Sequence, residues 1–272
     1  MILGIDYASV DGNIPPDVTK LTGVGVSFAV VRGAWGTWAD PNLRRDLPAL
    51  KGGGLTVGAY LFLRFPELGH SAPSPDDQAL ALVDACAGME PELDLPPTVD
   101  VEFPGKGITD TGLTPAEALG WIRVAVQTLK KRYPTVMIYT SARVWRDDMQ
   151  NIAAGDLGDC PLWVKTPYVV GTRQLPRWPD QFTYPTQIPP PWHSQAWIQQ
   201  YQGDALGVPG VSATCDLNQF LAGHDDPTDP RTGWIHPRLA GRTLTDFQSA
   251  SGLVADGVIG PRTFAALCRV RP

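Results

Sequence analysis

The stretch Leu95-Pro-Pro-Thr-Val-Asp-Val-Glu-Phe-Pro104 decides how the rest of the chain reads. Prolines bracket a short apolar run, and such a run between turn signals predicts a buried strand. Asp100 and Glu102 stand two apart in it, with Val101 between them. Side chains alternate along a strand, so both carboxyls share one face, roughly 6–7 Å apart along the backbone. Two carboxylates this close in a half-buried place do not ionise independently. One is pushed to keep its proton at neutral pH and can then donate it. A strand end whose acids meet only water or arginines would carry the same pattern, so the remaining chain has to decide.

Working outward, apolar runs at Ile2–Ile5, Val24–Arg32, Leu55–Leu63, Val136–Thr140, Pro161–Val164, Ala196–Tyr201 and Ala213–Leu217 predict further strands. Helix-like segments fall between the early ones, at Leu43–Leu50 and Asp76–Cys86. A third begins at Thr114-Pro-Ala-Glu117, with a Thr cap, Pro at the first helical position and Glu three after the cap. Residues 166–195 are rich in Pro, Trp and Tyr and predict no regular element. Strands alternating with helices, then closing strands with little helix between them, predict an irregular TIM-like β/α barrel. Chemistry in such barrels gathers where the strands end. The residues expected there are Asp6, Arg32, Tyr60, Phe62, Asp100, Glu102, Tyr139, Trp163, Tyr201 and Asp216. Aromatic faces stack on the apolar sides of pyranose rings, and carboxylates address hydroxyls and the glycosidic oxygen. That mixture fits a sugar-binding cleft, although any one aromatic could equally serve the core.

Composition narrows the alternatives. The 272 residues suffice for one barrel-sized domain and a small appendage, and 43% hydrophobic with 18% charged residues describes a globular chain. The net charge of −6 argues against nucleic acid as a partner, since phosphate binding needs a basic field. No apolar run is long enough for a membrane helix, and the N-terminus shows no secretory signal. Cys86, Cys160, Cys215 and Cys268 are widely spaced and read as reduced and mostly buried. The four histidines form no zinc pattern, so no metal or cofactor is indicated.

With these residues in place, the chain resembles glycoside hydrolase family 25 over roughly residues 2–222. Gly4-Ile-Asp6, Phe28-Ala-Val-Val-Arg32, Gly54-Leu-Thr-Val-Gly-Ala-Tyr60 and Pro96-Pro-Thr-Val-Asp-Val-Glu102 carry the likeness. Ile138-Tyr-Thr140 with Trp145, Pro161-Leu-Trp163, and Val208-Pro-Gly210 leading to Asp216-Leu-Asn218 continue it in order. Leu61, Gln199 and Lys165 depart from the family's habits of His, Trp and a small residue, and are expected to alter the cleft lining. The resemblance implies a lysozyme cleaving peptidoglycan as an N-acetylmuramidase, with Glu102 as general acid and then base. Asp100 would orient the 2-acetamido group or stabilise positive charge, and Asp6 and Asp216 would complete an acidic ring. Tyr60, Phe62, Arg32, Tyr139, Trp163 and Tyr201 would bind substrate. Close carboxylates favour net retention, with attack by the acetamido oxygen preferred over a covalent aspartyl intermediate. Thr98, two before Asp100, argues against a chitinase.

Three units are expected: a barrel over residues 1–223, a linker rich in Asp, Pro and Gly over 224–237, and a helical module over 238–272. Leu244–Leu267 resembles the second half of a peptidoglycan-binding domain, although the first half is missing and the module is small for an independent core. From Arg231 onward six Arg and two Asp give this end a local charge of +4. The whole suits a phage endolysin: a monomer made in the cytoplasm of an infected host, acting on bacterial peptidoglycan after release. The rival reading is a catalytically weak wall-binding protein on the same barrel.

Overall fold

The computed structural model describes residues 2–11, 14–89, 93–166, 175–176, 187–192, 196–221, 223–224 and 238–270. Strands β1 (Ile2–Tyr7), β2 (Val26–Trp35), β3 (Trp38–Ala39), β4 (Thr56–Phe62), β5 (Thr98–Asp100), β6 (Met137–Ser141), β7 (Leu162–Lys165), β8 (Ala196–Leu206) and β9 (Thr214–Phe220) form one sheet. Its order is β1-β9-β8-β7-β6-β5-β4-β2-β3, and β1 also pairs with β2, closing eight of the strands into a barrel. Neighbours from β1 round to β8 run parallel, whereas β9 is antiparallel to both β8 and β1. β3 is a short extension folded back on β2.

Helices α1 (Val18–Gly23), α2 (Pro41–Gly52), α3 (Pro75–Cys86) and α4 (Pro115–Lys130) accompany the early strands. The start of α4 is the expected reciprocal cap: Glu117 N–H donates to Thr114 Oγ1 and Thr114 N–H to Glu117 Oε2. α1 and β3 were not anticipated, being too short to show a period. β5 is also shorter than the proline-bracketed run suggested. Pro97 has no N–H and only accepts, from Met137, so regular pairing begins at Thr98. It ends at Asp100, and Glu102 stands just beyond the strand, on the same side as Asp100 by alternation.

That alternation sorts the core into two clusters. Ile5, Val31, Val57, Leu61, Val99, Val101, Ile138 and Leu162 face outward and pack under the helices. Phe28, Val30, Tyr60, Met137, Tyr139, Trp163, Trp197 and Phe220 face inward and fill the barrel. Phe28 leaves no room for a side chain at Gly4, where a Cβ would fall within its ring's contact distance.

At the C-terminal end, α5 (Leu244–Ala250) and α6 (Pro261–Arg269) follow, and a two-residue strand β10 (Gly223–His224) pairs with β11 (Val258–Ile259). α6 begins at Pro261 after Gly260, and its Phe264 and Leu267 are fully buried. They join the barrel's inner cluster at its N-terminal end. Residues 225–237, most of the expected linker, lie outside the described residues. The four cysteines are free thiols, three of them buried. Among the described residues no helix is long and apolar enough to cross a membrane.

Candidate active site

The C-terminal mouth of the barrel collects the acids. Asp6 and Asp216 are register partners on β1 and β9. The sequence put Asp216 at the end of its strand. Because β9 is antiparallel, Asp216 lies near its beginning, and that beginning shares the mouth with the ends of the parallel strands. Asp100 arrives on β5 and Glu102 just past it.

Hydrogen bonds tie this group to the strands around it. Asp6 Oδ2 accepts from Asn218 Nδ2 at 2.6 Å and from Gln200 Nε2 at 3.2 Å. Gln200 Nε2 also donates to Asp216 Oδ2 at 2.9 Å, and its Oε1 accepts from the Tyr139 hydroxyl at 2.8 Å. Asn218 Oδ1 accepts from Trp163 Nε1 at 2.8 Å. Asp216 Oδ1 accepts the backbone N–H of Asp204 at 2.8 Å, and Asp204 takes a left-handed φ of 51° within the irregular part of β8. Glu102 Oε1 pairs with Lys165 Nζ at 3.1 Å.

Burial without full compensation shapes the acidities. Burial raises Asp6 to about 7, against the pull of its amide donors. Asp100 is pushed well above the carboxylate range, first by burial and then by the charge of Glu102. Burial and Asp6 do the same to Asp216. Asp100 Oδ1 is buried and has no hydrogen-bond partner among the described residues. Lys165 opposes the rise at all three aspartates. Among the described residues the mouth holds more carboxyls than cations, which pushes the aspartates toward their protonated form, and no cluster there could bind a metal.

The expected substrate-binding residues divide. Tyr60, Tyr139 and Trp163 stand together as an edge-to-face aromatic group, but all three are buried beneath the acids. They support the floor of the site. Phe62 is half-buried at the mouth, in register with Asp100. Arg32 is committed elsewhere: its Nε pairs with Asp40 at 2.9 Å and its Nη2 donates to Ser9 at 3.3 Å. Tyr201 is a correction, for it sits in the outer cluster, because Gln200 before it takes the inward position. The expected changes in cleft lining also need correcting. Leu61 faces the outer core, and Gln199 bonds Thr166 and Gln219, away from the acids. Lys165 alone of the three departures reaches the cleft. Gln200 and Asn218 were not anticipated as site residues. The signal was available for Asn218, which lies two after Asp216 and so on the same strand face.

The comparisons can now be placed on this geometry. The sequence model of glycosyl hydrolases family 25 matches residues 5–205, most of the chain and nearly all of the barrel. The chain belongs to this family. It is a glycoside hydrolase. An autolytic lysozyme of Clostridium acetobutylicum is 24% identical over 270 residues, covering 97% of this chain and 71% of that protein. Among solved structures, a lysozyme from Streptomyces coelicolor matches with a TM-score of 0.63 at 24% identity, over 81% of this chain and 92% of that one. A family 25 lysozyme from Aspergillus fumigatus matches with a TM-score of 0.62 at 20% identity, over 86% of this chain and 98% of that one. At these identities the structural matches speak for the barrel, and the family assignment rests on the sequence match.

Proposed function

We propose that this family 25 hydrolase cleaves the β-1,4 bond between N-acetylmuramic acid and N-acetylglucosamine in bacterial peptidoglycan, with net retention. The observation that carries this reading is the pairing at the end of β5: a buried Asp100 beside a reachable Glu102. Glu102 is one-third exposed and can meet a glycosidic oxygen. Asp100 is suited to a hydrogen bond with the 2-acetamido group, its unpaired Oδ1 offering the acceptor.

In the first step Glu102 gives its proton to the leaving oxygen as the glycosidic C–O bond breaks. The acetamido oxygen closes on the anomeric carbon from the opposite face. Asp100 stabilises the positive charge that develops on the resulting ring. Water then attacks the anomeric carbon, losing a proton to Glu102, and the acetamide re-forms. Two inversions leave the configuration retained. Asp6, Asp216, Gln200 and Asn218 position the mouth and tune its charge. Lys165 holds Glu102 through Oε1 and so leaves Oε2 to meet the glycosidic oxygen. The C-terminal module is proposed to help hold the chain on the wall, supported by its likeness to half of a peptidoglycan-binding domain.

The test is digestion of isolated peptidoglycan with identification of each new reducing-end sugar. Muramic acid ends are expected from the unaltered protein, and Glu102→Gln should lose about 10³-fold in rate. Glucosamine ends would overturn the bond assignment. Full activity of Glu102→Gln would overturn the acid.

A further inference from the structure

β2 does not stop at the barrel's edge. It continues through Trp35, turns at Gly36-Thr37 and returns as β3, with Trp35 and Trp38 paired directly across the turn. Gly36 adopts the left-handed backbone (φ 59°) that this tight return needs, and a side chain there would press on Arg64. Directly paired residues of a hairpin project from the same face. Ala34 belongs to the outer cluster, so Trp35, one residue on, faces the mouth side.

Two large indoles in such a place would ordinarily be covered. Here Trp35 is 40% exposed and Trp38 49% exposed. Each is backed on one side by a guanidinium: Arg64 lies 4.2 Å from the Trp35 ring centre and Arg32 5.9 Å from that of Trp38. The guanidiniums leave a large part of each indole open to solvent. The support is rigid. Asp40 accepts from Arg32 Nε and Ser9 N–H, caps α2 through Asn42 N–H at 3.0 Å, and ties its own N–H to Gly33 O at 2.9 Å. Gly36 N–H is fixed to Phe62 O at 3.0 Å. This explains what Arg32 does instead of touching substrate beside the acids.

Register gives the platform's place. Trp35 is the partner of Phe62, and Phe62 is the partner of Asp100. Trp35 therefore stands level with the catalytic strand and two strand spacings away, about 10 Å along the rim, with Trp38 one strand further out on β3. With Phe62 half-buried between Trp35 and Asp100, an apolar path leads from the acids to the hairpin.

We propose that Trp35 and Trp38 form a remote saccharide subsite, stacking on a pyranose ring of the glycan strand beyond the sugars at the cleaved bond. The proposal rests on the reading of the mouth as a glycan cleft. It takes an uncharged ring face as its ligand, since the guanidinium sides already face the protein. A contact so far from the reacting bond is made only by strands long enough to reach it, and it raises their productive binding.

The experiment compares kcat/KM on long peptidoglycan strands with that on the shortest muramic acid-containing oligosaccharide cleaved, for the unaltered protein, Trp35→Ala, Trp38→Ala and Trp38→Phe. The long-to-short ratio should fall about tenfold in each alanine variant, the size of one lost aromatic stack, and recover with Phe. In parallel, tryptophan fluorescence of Glu102→Gln is titrated with solubilised glycan strands. The quench or shift seen there should vanish when Trp35 and Trp38 are both replaced by Phe. An unchanged ratio, or equal losses on both substrates, would overturn the subsite. If the unaltered protein cleaves no glycan, the functional reading fails, and the fluorescence titration still decides whether the indoles hold sugar.

Discussion

The two ends of the barrel interior face opposite problems with the same eight strands. At the floor, Trp197 stacks on Phe264 with ring centres 4.4 Å apart and planes 22° from parallel, and Phe220 leans on both. At the mouth, Asp6 and Asp100 are buried and Asp216 is half-buried beside Lys165, and all three carboxyls are harder to ionise than in water. Burying charge is costly and burying aromatic carbon is favourable, so the floor supplies stability that the mouth consumes. The difference teaches where each kind of mutation should be felt.

The floor is the place for the largest effect on stability. α6 closes it and anchors its rim through Arg262 Nη2 to Gly54 O at 2.9 Å and Thr135 Oγ1 to Cys268 O at 3.0 Å. Phe264→Ala removes a fully buried ring from this end and should cost about 3–5 kcal/mol. Calorimetry would show a melting point lower by roughly 10 °C, with turnover per folded molecule unchanged at room temperature. An unchanged melting point would mean that the C-terminal helix only rests on the barrel.

At the mouth the expected change depends on pH. Asp6 has an ordinary value of 3.8 and is raised to about 7 in the fold. Between those values the folded chain binds more protons than the unfolded one, so stability must fall as pH rises from about 4 to about 7. Asp100 and Asp216, raised in the same direction, reinforce the slope. The exposed acids whose values are lowered, Asp17, Glu117, Asp147 and Asp156, act below this window. Asp6→Asn keeps the shape without the charge and should flatten the decline by a few kcal/mol at most. A melting point that climbs between pH 4 and 7 in the unaltered protein would contradict the buried-acid account.

The floor and the mouth were not equally legible in the sequence. Apolar runs and helix starts are local patterns, so the barrel and the Thr114 cap could be read directly. Asp100 and Glu102 declared themselves because their spacing matches the strand period. Arg32 and Tyr201 misled for physical reasons. Charge on Arg32 suggested substrate, but Asp40, eight residues on, takes the guanidinium. The pairing of β8 with β7 skips from Ala196 to Ile198, which brings Gln200 inward and turns Tyr201 outward. Gln200 and Asn218 were hidden because an amide has no distinctive local signature; it becomes part of a site only when strands far apart in sequence bring Asp6 to it.

Lys165 gives the smallest effect and the sharpest contrast between the two ends, because it acts on charge alone. Its ammonium pairs with Glu102 and pulls the pKa values of Asp6, Asp100 and Asp216 down, while the charge of Asp11 pushes those of Asp6 and Asp216 up. Lys165→Met removes the opposing charge, so the aspartates keep their protons to higher pH. The ascending limb of kcat/KM against pH, where a site carboxyl must ionise, should then move upward by about one pH unit. Lys165→Arg keeps the charge and should leave the limb near its original position. A lysine needed only for packing would lower the rate at every pH and leave the limb where it was. The floor provides the control: Phe264→Ala changes the melting point and should not move the limb, since no aromatic ring there carries charge to the acids.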